Sequence, residues 1–134
     1  MANPRKLFSD FAEWWRYNII ISPLNFSDTF IPFACGDGTC FKVIITDTSD
    51  GKVQMTSGTN DMYSMLKNND ILKHDAVVKI CEQFGITIDT TSSDGYCLQK
   101  TCKPENFSVC FNGFCAGVLK LDAVVDTLIA MDEK

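Results

Sequence analysis

Apolar side chains recur at helical spacing near the start of the chain. Asn3 and Pro4 form a typical helix start, a capping side chain followed by proline at the first helical position. An apolar stripe follows, made by Leu7, Phe11, Trp14 and Trp15. This spacing predicts an amphipathic helix whose stripe belongs to the core or covers it. A β-branched run at residues 19–21 follows.

Between residues 30 and 56 the pattern changes to short strands and tight turns. Residues 41–46 (Phe-Lys-Val-Ile-Ile-Thr) are the strongest strand candidate, and residues 53–56 alternate as the returning strand after a turn at residues 49–52. The sequence therefore predicts an antiparallel meander of three or four strands. Two further short strands are predicted, at residues 86–88 and 95–98.

Two helices are predicted in the middle of the chain. Ser57 or Thr59 caps a short one that carries Met62, Met65 and Leu66. The second covers residues 75–84, and Gly85 follows it as a residue that ends helices in the left-handed conformation. Its apolar stripe comprises Val77, Ile80, Cys81 and Phe84.

The last third carries two competing patterns. Six apolar residues follow the series of an amphipathic helix: Phe107, Cys110, Phe111, Phe114, Cys115 and Val118. Asn112 and Gly113 suit instead a type I′ hairpin turn, which would place Cys110 opposite Cys115. Glycine costs a helix about 1 kcal/mol, whereas each buried large side chain contributes about 1.5–3 kcal/mol. The balance favours a helix that buries its three phenylalanines together, followed by a further helical stretch at residues 119–131.

Composition and element order predict one α+β domain covering residues 1–134. We expect a small antiparallel meander with an N-terminal helix, two middle helices and a C-terminal helix packed on the sheet. The net charge of −5 argues against direct nucleic-acid binding, which needs clustered cations. Because no apolar run approaches the roughly 18 residues of a membrane span, no membrane partner is predicted.

Six of the seven cysteines form three copies of one spacing: Cys35–Cys40, Cys97–Cys102 and Cys110–Cys115. The seventh, Cys81, leaves an odd count, which is unfavourable for a secreted disulfide framework. Charged residues interrupt the early apolar positions, so no signal peptide is recognisable. Reduced thiols and a cytoplasmic location are the expectation, and a disulfide-stapled module is the alternative.

The sequence predicts no metal site and no cofactor. A zinc tetrad of Cys97, Cys102, Cys110 and Cys115 is the alternative, although four intervening residues are at the limit of zinc-ligand spacing. Catalysis by a Ser–His or Cys–His arrangement would have to use His74, the only histidine. No nucleophile motif or carboxylate pair accompanies it, so we predict no catalytic residue and no enzymatic activity.

Several short segments resemble domain-of-unknown-function family 1828, which is found in bacteria and phages. They are the Ile21-Ser22-Pro23 step after the first helix, the Gly36-Asp37-Gly38 turn, and the strand at residues 51–56. The Phe84-Gly85-Ile86 step and the closing apolar helix resemble the family too. Where that family has an Asp-x-Gly, this chain has Thr56-Ser57-Gly58 without the acid. The resemblance implies a prokaryotic or viral cytoplasmic setting and no particular activity.

These observations predict a small acidic protein-binding module. A phage-encoded inhibitor or modulator of a host protein, such as a defence or nucleic-acid-processing factor, fits the size and the charge. The predicted partner is a host protein, and the sequence does not predict an oligomeric state.

Overall fold

The fold is α+β in a computed structural model that describes residues 2–21, 28–34, 40–57, 71, 73–91 and 98–132. The elements in chain order are α1 (Pro4–Asn18), β1 (Ile20–Ile21), β2 (Asp28–Ala34), β3 (Cys40–Asp47), β4 (Val53–Ser57), α2 (Asp75–Phe84), β5 (Thr87–Ile88), β6 (Leu98–Cys102), a 3-10 turn (Pro104–Asn106) and α3 (Phe107–Asp132). The predicted short helix that carries Met62, Met65 and Leu66 lies outside the described residues.

The strands form one antiparallel sheet in the order β1-β2-β3-β4-β6-β5. β2, β3 and β4 form the predicted meander, and β1 at Ile20–Ile21 adds a strand beside β2 that the sequence did not assign to it. The turn between β3 and β4 closes as expected at Gly51, whose φ of 80° is a conformation that glycine adopts without strain. β6 lies between β4, which is the last strand of the meander, and β5, which forms the edge of the sheet.

Side chains of the central strands alternate between two faces, as the period of a strand requires. The register places Val43, Ser57 and Leu98 side by side, and all three are fully buried. The Ser57 hydroxyl is satisfied there, since it donates to the Lys42 carbonyl at 2.6 Å. The opposite face is polar: the Gln54 amide donates to Gln99, and the Gln99 amide donates to Asp89. One face of the sheet therefore forms the core.

α3 is a single helix from Phe107 to Asp132, so the two predicted helical stretches are continuous. It lies against β4, β6 and α2. Its fully buried side chains are Phe114, Val118, Leu121 and Val125. Gly113 is accommodated inside the helix, which settles the competing patterns in favour of the helix. Of the three phenylalanines predicted to be buried together, only Phe114 is in the core, while Phe107 and Phe111 are half-buried.

α2 has the predicted bounds, Asp75–Phe84. Gly85 follows in the left-handed conformation, with φ 64° and ψ 34°. Val77 and Ile80 are buried, whereas Cys81 and Phe84 are half-buried. The end of this helix lies very close to α3 at Gly117. A Cβ placed on Gly117 would lie 2.9 Å from the Cβ of Phe84, so glycine is required for this approach.

The second late strand ends further along the chain than predicted. β6 covers Leu98–Cys102, whereas the sequence predicted residues 95–98, of which 95–97 lie outside the described residues. The strand continues to Cys102 because Leu98 and Cys102, at its two ends, are both buried in the core. The three residues between them are polar. Pro104 then begins the 3-10 turn that leads directly into α3.

Candidate functional site

The N-terminal helix forms through local signals in its first turn. The Asn3 side chain accepts a hydrogen bond from the Lys6 backbone N–H at 3.4 Å, and Pro4 occupies the first turn. The helix ends at Asn18, after which the Ile19 N–H donates to the Trp15 carbonyl at 3.1 Å. An exposed ion pair joins Lys6 to Asp10 at 3.2 Å, an interaction that adds little to stability.

The apolar stripe of α1 is mainly exposed, which corrects the expectation that it joins or covers the core. No residue of the helix is buried. Five large apolar or aromatic side chains keep between 51% and 72% of their surface accessible: Leu7, Phe8, Phe11, Trp14 and Tyr17. Trp15 alone packs against the core from this helix. The reason is that α3 already lies over β4 and β6, and α1 reaches mainly the β2 side of the sheet.

A groove of about 560 Å³ lies between the end of α1 and the first half of α3. Trp15 and Ile19 form one wall, and Phe107 and Phe111 stack in the other with ring centroids 5.3 Å apart. The remaining lining residues are Ser108, Asn112, Cys115, Ala116 and Leu119. Among the described residues that line this groove none is charged, so it suits an apolar anchor with a few polar contacts at Ser108 and Asn112.

The residues of α3 that line the groove recur in the sequence at helical spacing. Positions 107, 111, 115 and 119 recur every fourth residue, and positions 108, 112 and 116 form the adjacent row. These rows describe a second face of α3 beside its core face. The opposite wall has no such signal, because the position of Trp15 and Ile19 depends on how the N-terminal helix meets the sheet.

The aromatic side chains of α1 continue next to the groove. Phe11 lies one helical turn before the groove residue Trp15 and stacks on Trp14, with ring centroids 6.2 Å apart. We call the exposed side chains of Leu7, Phe8, Phe11 and Trp14 together with the groove the aromatic surface. Exposed apolar groups on this scale in a globular protein mark sites of interaction.

Four cysteines in the described part of the chain are free thiols: Cys81, Cys102, Cys110 and Cys115. Cys110 and Cys115 are not bonded to each other, because residues five apart on a helix point in different directions. Burial raises the pKa of Cys115 to about 12 and raises the pKa of Cys81 as well. Both thiols are therefore protonated and unreactive at neutral pH.

Cys102 and Cys110 lie on different elements at the same side of the core. Cys102 is the buried last residue of β6, and Cys110 lies in the first turns of α3 and packs against the core. Burial, and next the neighbouring Cys110 thiol, raise the pKa of Cys102, while the charge of Lys100 opposes the rise.

The structure describes three of the four cysteines in the alternative zinc tetrad. Cys97 lies outside the described residues. Cys115 lines the groove, whereas Cys102 ends β6 and Cys110 lies in the first turns of α3. Across the described ranges, no three His, Cys, Asp or Glu side chains are grouped as metal ligands would be.

His74, the histidine on which an enzymatic mechanism would depend, has a structural role. Its Nδ1 accepts a hydrogen bond from the Ala76 backbone N–H at 3.2 Å, so it caps the N-terminus of α2. The side chain is exposed rather than set in a cleft. Used in this way, Nδ1 is occupied by the helix and is not free to accept a proton from a nucleophile.

No family model, no curated protein and no solved structure matches the chain. In the part of the chain that the structure describes, no helix has the length and apolar character of a membrane span.

Proposed function

We propose that this chain is a small acidic protein-binding module without enzymatic activity, and that its aromatic surface is where the partner binds. The observation that carries the proposal is the exposure of four large apolar side chains on α1 beside a groove whose described lining residues are uncharged. Aromatic residues that are exposed in the free protein and surround a pocket are typical of binding hot spots. The role of His74 as a helix cap supports a function other than catalysis.

The partner is a protein that presents an apolar side chain on a basic surface. The groove suits an apolar anchor, because its described lining residues are mainly apolar, with polar contacts at Ser108 and Asn112. The net charge of −5 attracts a positively charged surface over a longer range and speeds association. A host protein whose basic site normally holds nucleic acid has both features. A phage-encoded inhibitor or modulator of such a protein in the bacterial cytoplasm is the setting that we propose.

A matched pair of substitutions on α3 tests whether the groove binds the partner. Ala116→Phe fills the groove, whereas Ala123→Phe adds the same ring at an exposed position that does not line it. Each tagged variant is used to capture proteins from a bacterial lysate, and bound proteins are quantified by mass spectrometry. We expect a partner that wild type and Ala123→Phe retain and that Ala116→Phe loses by about tenfold or more, since a filled pocket removes a hot spot of about 1.4 kcal/mol or more.

A second capture experiment examines the α1 side of the same surface. Trp14→Ser removes an exposed ring of the aromatic surface, and Val78→Ser removes an exposed apolar side chain from α2 as the control. The partner should be lost from Trp14→Ser and retained by Val78→Ser. Capture of the same partner by all four variants would refute the proposed surface. The binding function would be refuted if the wild-type protein captured no partner above background.

The dimensions of the groove favour a second candidate, binding of an apolar small molecule. Its volume of about 560 Å³ is within the range of about 300–1,000 Å³ that ligand sites occupy. Titration with the apolar dye anilinonaphthalene sulfonate, followed by dye fluorescence, distinguishes this candidate. Saturable binding that Ala116→Phe abolishes and Ala123→Phe preserves would support it, and weak unsaturable binding would reject it.

A further inference from the structure

The sheet ends at β5, on the side far from the N-terminal helix. β5 is the last strand of the order, whereas α1 reaches mainly β2 near the opposite edge. Within the described part of the chain, β6 alone pairs with β5, and no backbone hydrogen bond outside that ladder involves Thr87 or Ile88. The outer backbone groups of this strand are therefore available to a further strand.

A groove lies beside this edge, between β5 and the flank of α2. Its volume is about 510 Å³, and we call it the edge groove. Val78, which is 40% exposed, and the half-buried Cys81 line it from α2. Gly85, which ends α2, and residues 86–88 line the other side. Its described lining residues include none of those that line the groove between α1 and α3, so it is a separate surface.

The register of β5 determines which side chains would face the edge groove. Ile88 pairs with the buried Leu98, so it lies on the core face, where α3 packs and α2 packs on α3. Thr87 pairs with Gln99 on the polar face. A strand added beside β5 would follow the same alternation, and every second side chain would point toward α2 and Val78. These alternate side chains would have to be apolar.

The charge of the edge groove limits the ligand further. Among the described residues that line it, Glu82 alone is charged, and its side chain is exposed. A lysine or arginine beside the apolar positions of the ligand would therefore meet an opposite charge. The net charge of −5 also favours the approach of a basic segment.

We propose that the edge groove binds an extended peptide segment of a protein by strand addition to β5. The segment has apolar side chains at alternate positions and a lysine or arginine that faces Glu82. Because β5 is two residues long, its backbone supplies few hydrogen bonds, and the apolar side chains supply the rest of the affinity. This ligand differs from the partner of the aromatic surface, and the proposal holds whether or not that partner exists.

Selection from a library of random peptides displayed on phage tests the proposal with the full chain. Enriched peptides are synthesised with a fluorescent label, and their binding is measured by fluorescence anisotropy. We expect enriched sequences with apolar residues at every second position and a lysine or arginine next to them. Replacing the backbone N–H groups of the peptide one at a time by N-methyl groups should abolish binding at alternate positions, since only alternate N–H groups of an added strand face β5.

Substitutions locate the peptide on the protein. Val78→Ser removes an apolar contact and Glu82→Lys replaces attraction with repulsion, so each should weaken binding by about fivefold or more. Glu105→Lys makes the same change of charge at an exposed position outside the edge groove and should bind as wild type does. Trp14→Ser should also bind the peptide normally, and Val78→Ser should still capture the partner of the aromatic surface.

Several outcomes would overturn the proposal. They are the enrichment of no peptide, unchanged binding by both Val78→Ser and Glu82→Lys, and tolerance of N-methylation at every position. Loss of the peptide in Trp14→Ser alone would assign it to the aromatic surface, which would reject the edge groove and leave the proposed function intact. A dimer that Val78→Ser or Glu82→Lys converts to a monomer would show that a second copy occupies the edge instead.

Discussion

The N-terminal and C-terminal helices differ in what happens to their apolar side chains. α1 has a clear apolar stripe, yet none of its residues is buried and Phe8 keeps 72% of its surface accessible. α3 contains two glycines and two cysteines in its first half, yet it supplies four fully buried side chains. Periodicity identifies the side chains that share a face. Whether that face is covered depends on which other elements reach it.

Contacts of the two helices explain the difference. α3 crosses β4 and β6 and also packs on α2, so both its core face and one flank meet other elements. Of the residues of α1, Trp15 alone packs against the core, followed by Ile19 directly after the helix. Its remaining apolar side chains are therefore available for a partner, whereas those of α3 hold the fold together. Substitutions of the buried side chains of α3 should therefore lower stability, whereas substitutions of the exposed side chains of α1 should weaken binding and leave stability unchanged.

Truncation of Phe114 should have the largest effect on stability. Its ring is fully buried in the centre of α3, so Phe114→Ala should lower the free energy of unfolding by about 3–5 kcal/mol. Urea denaturation followed by circular dichroism measures the loss. The half-buried Phe111 should tolerate the same change better, since its ring lines the groove. Equal losses at the two positions would contradict the division between the core and the groove.

Gly117→Ala should come next. The added Cβ would lie 2.5 Å from Cδ1 of Ile86 and 2.9 Å from two atoms of Phe84, so α2 and α3 would have to separate. Overpacking of this kind costs about 1–3 kcal/mol. The midpoint of urea unfolding should fall, while the slope of the unfolding free energy against urea concentration stays unchanged. A neutral or stabilised variant would show that the two helices are not in close contact at this point.

Gly113→Ala, one turn earlier on the same helix, should have the opposite sign. The nearest atom to its added Cβ is the Lys100 Nζ at 3.4 Å, the free end of a flexible side chain. Alanine should therefore stabilise the protein by up to about 1 kcal/mol, as it does inside helices generally. The pair is measured together in the same unfolding assay. A clear loss of stability in Gly113→Ala would favour the competing hairpin and place Cys110 opposite Cys115.

Phe8→Ala should have the smallest effect on folding. The side chain is exposed, and substitutions at such positions usually change stability by no more than about 0.5 kcal/mol. The midpoint of urea unfolding should remain within error of wild type, while capture of the partner falls. A loss of stability comparable to that of Phe114→Ala would mean that α1 belongs to the core and would remove the basis of the proposed binding surface.

Local signals explain which parts of the fold the sequence predicted. α2 was predicted with its correct bounds, because Gly85 marks its end and its apolar residues keep one phase. The continuity of α3 was missed, although neither Leu119 nor Lys120 is a residue that ends a helix. The placement of β6 beside β4 was not predicted, because it depends on a pairing between distant segments.

The candidate sites were less accessible to sequence reasoning than the fold. The equal spacing of three cysteine pairs directed attention to Cys110 and Cys115, which a helix keeps apart. The groove requires α1 and α3 to meet, and no residue pattern within either helix specifies that meeting.

The insertion of β6 between β4 and β5 has consequences for the order in which the chain folds. β3 and β4 are joined by a tight turn and can pair soon after collapse, as hairpins do within microseconds. The pairing of β4 with β6 must first close a loop that contains α2 and β5. Closing this loop costs chain entropy before any contact between the two strands has formed to offset it. Until then β4 presents an unpaired edge. Formation of the β4–β6 ladder is therefore the expected slow step, and the species that precedes it is the one most exposed to aggregation.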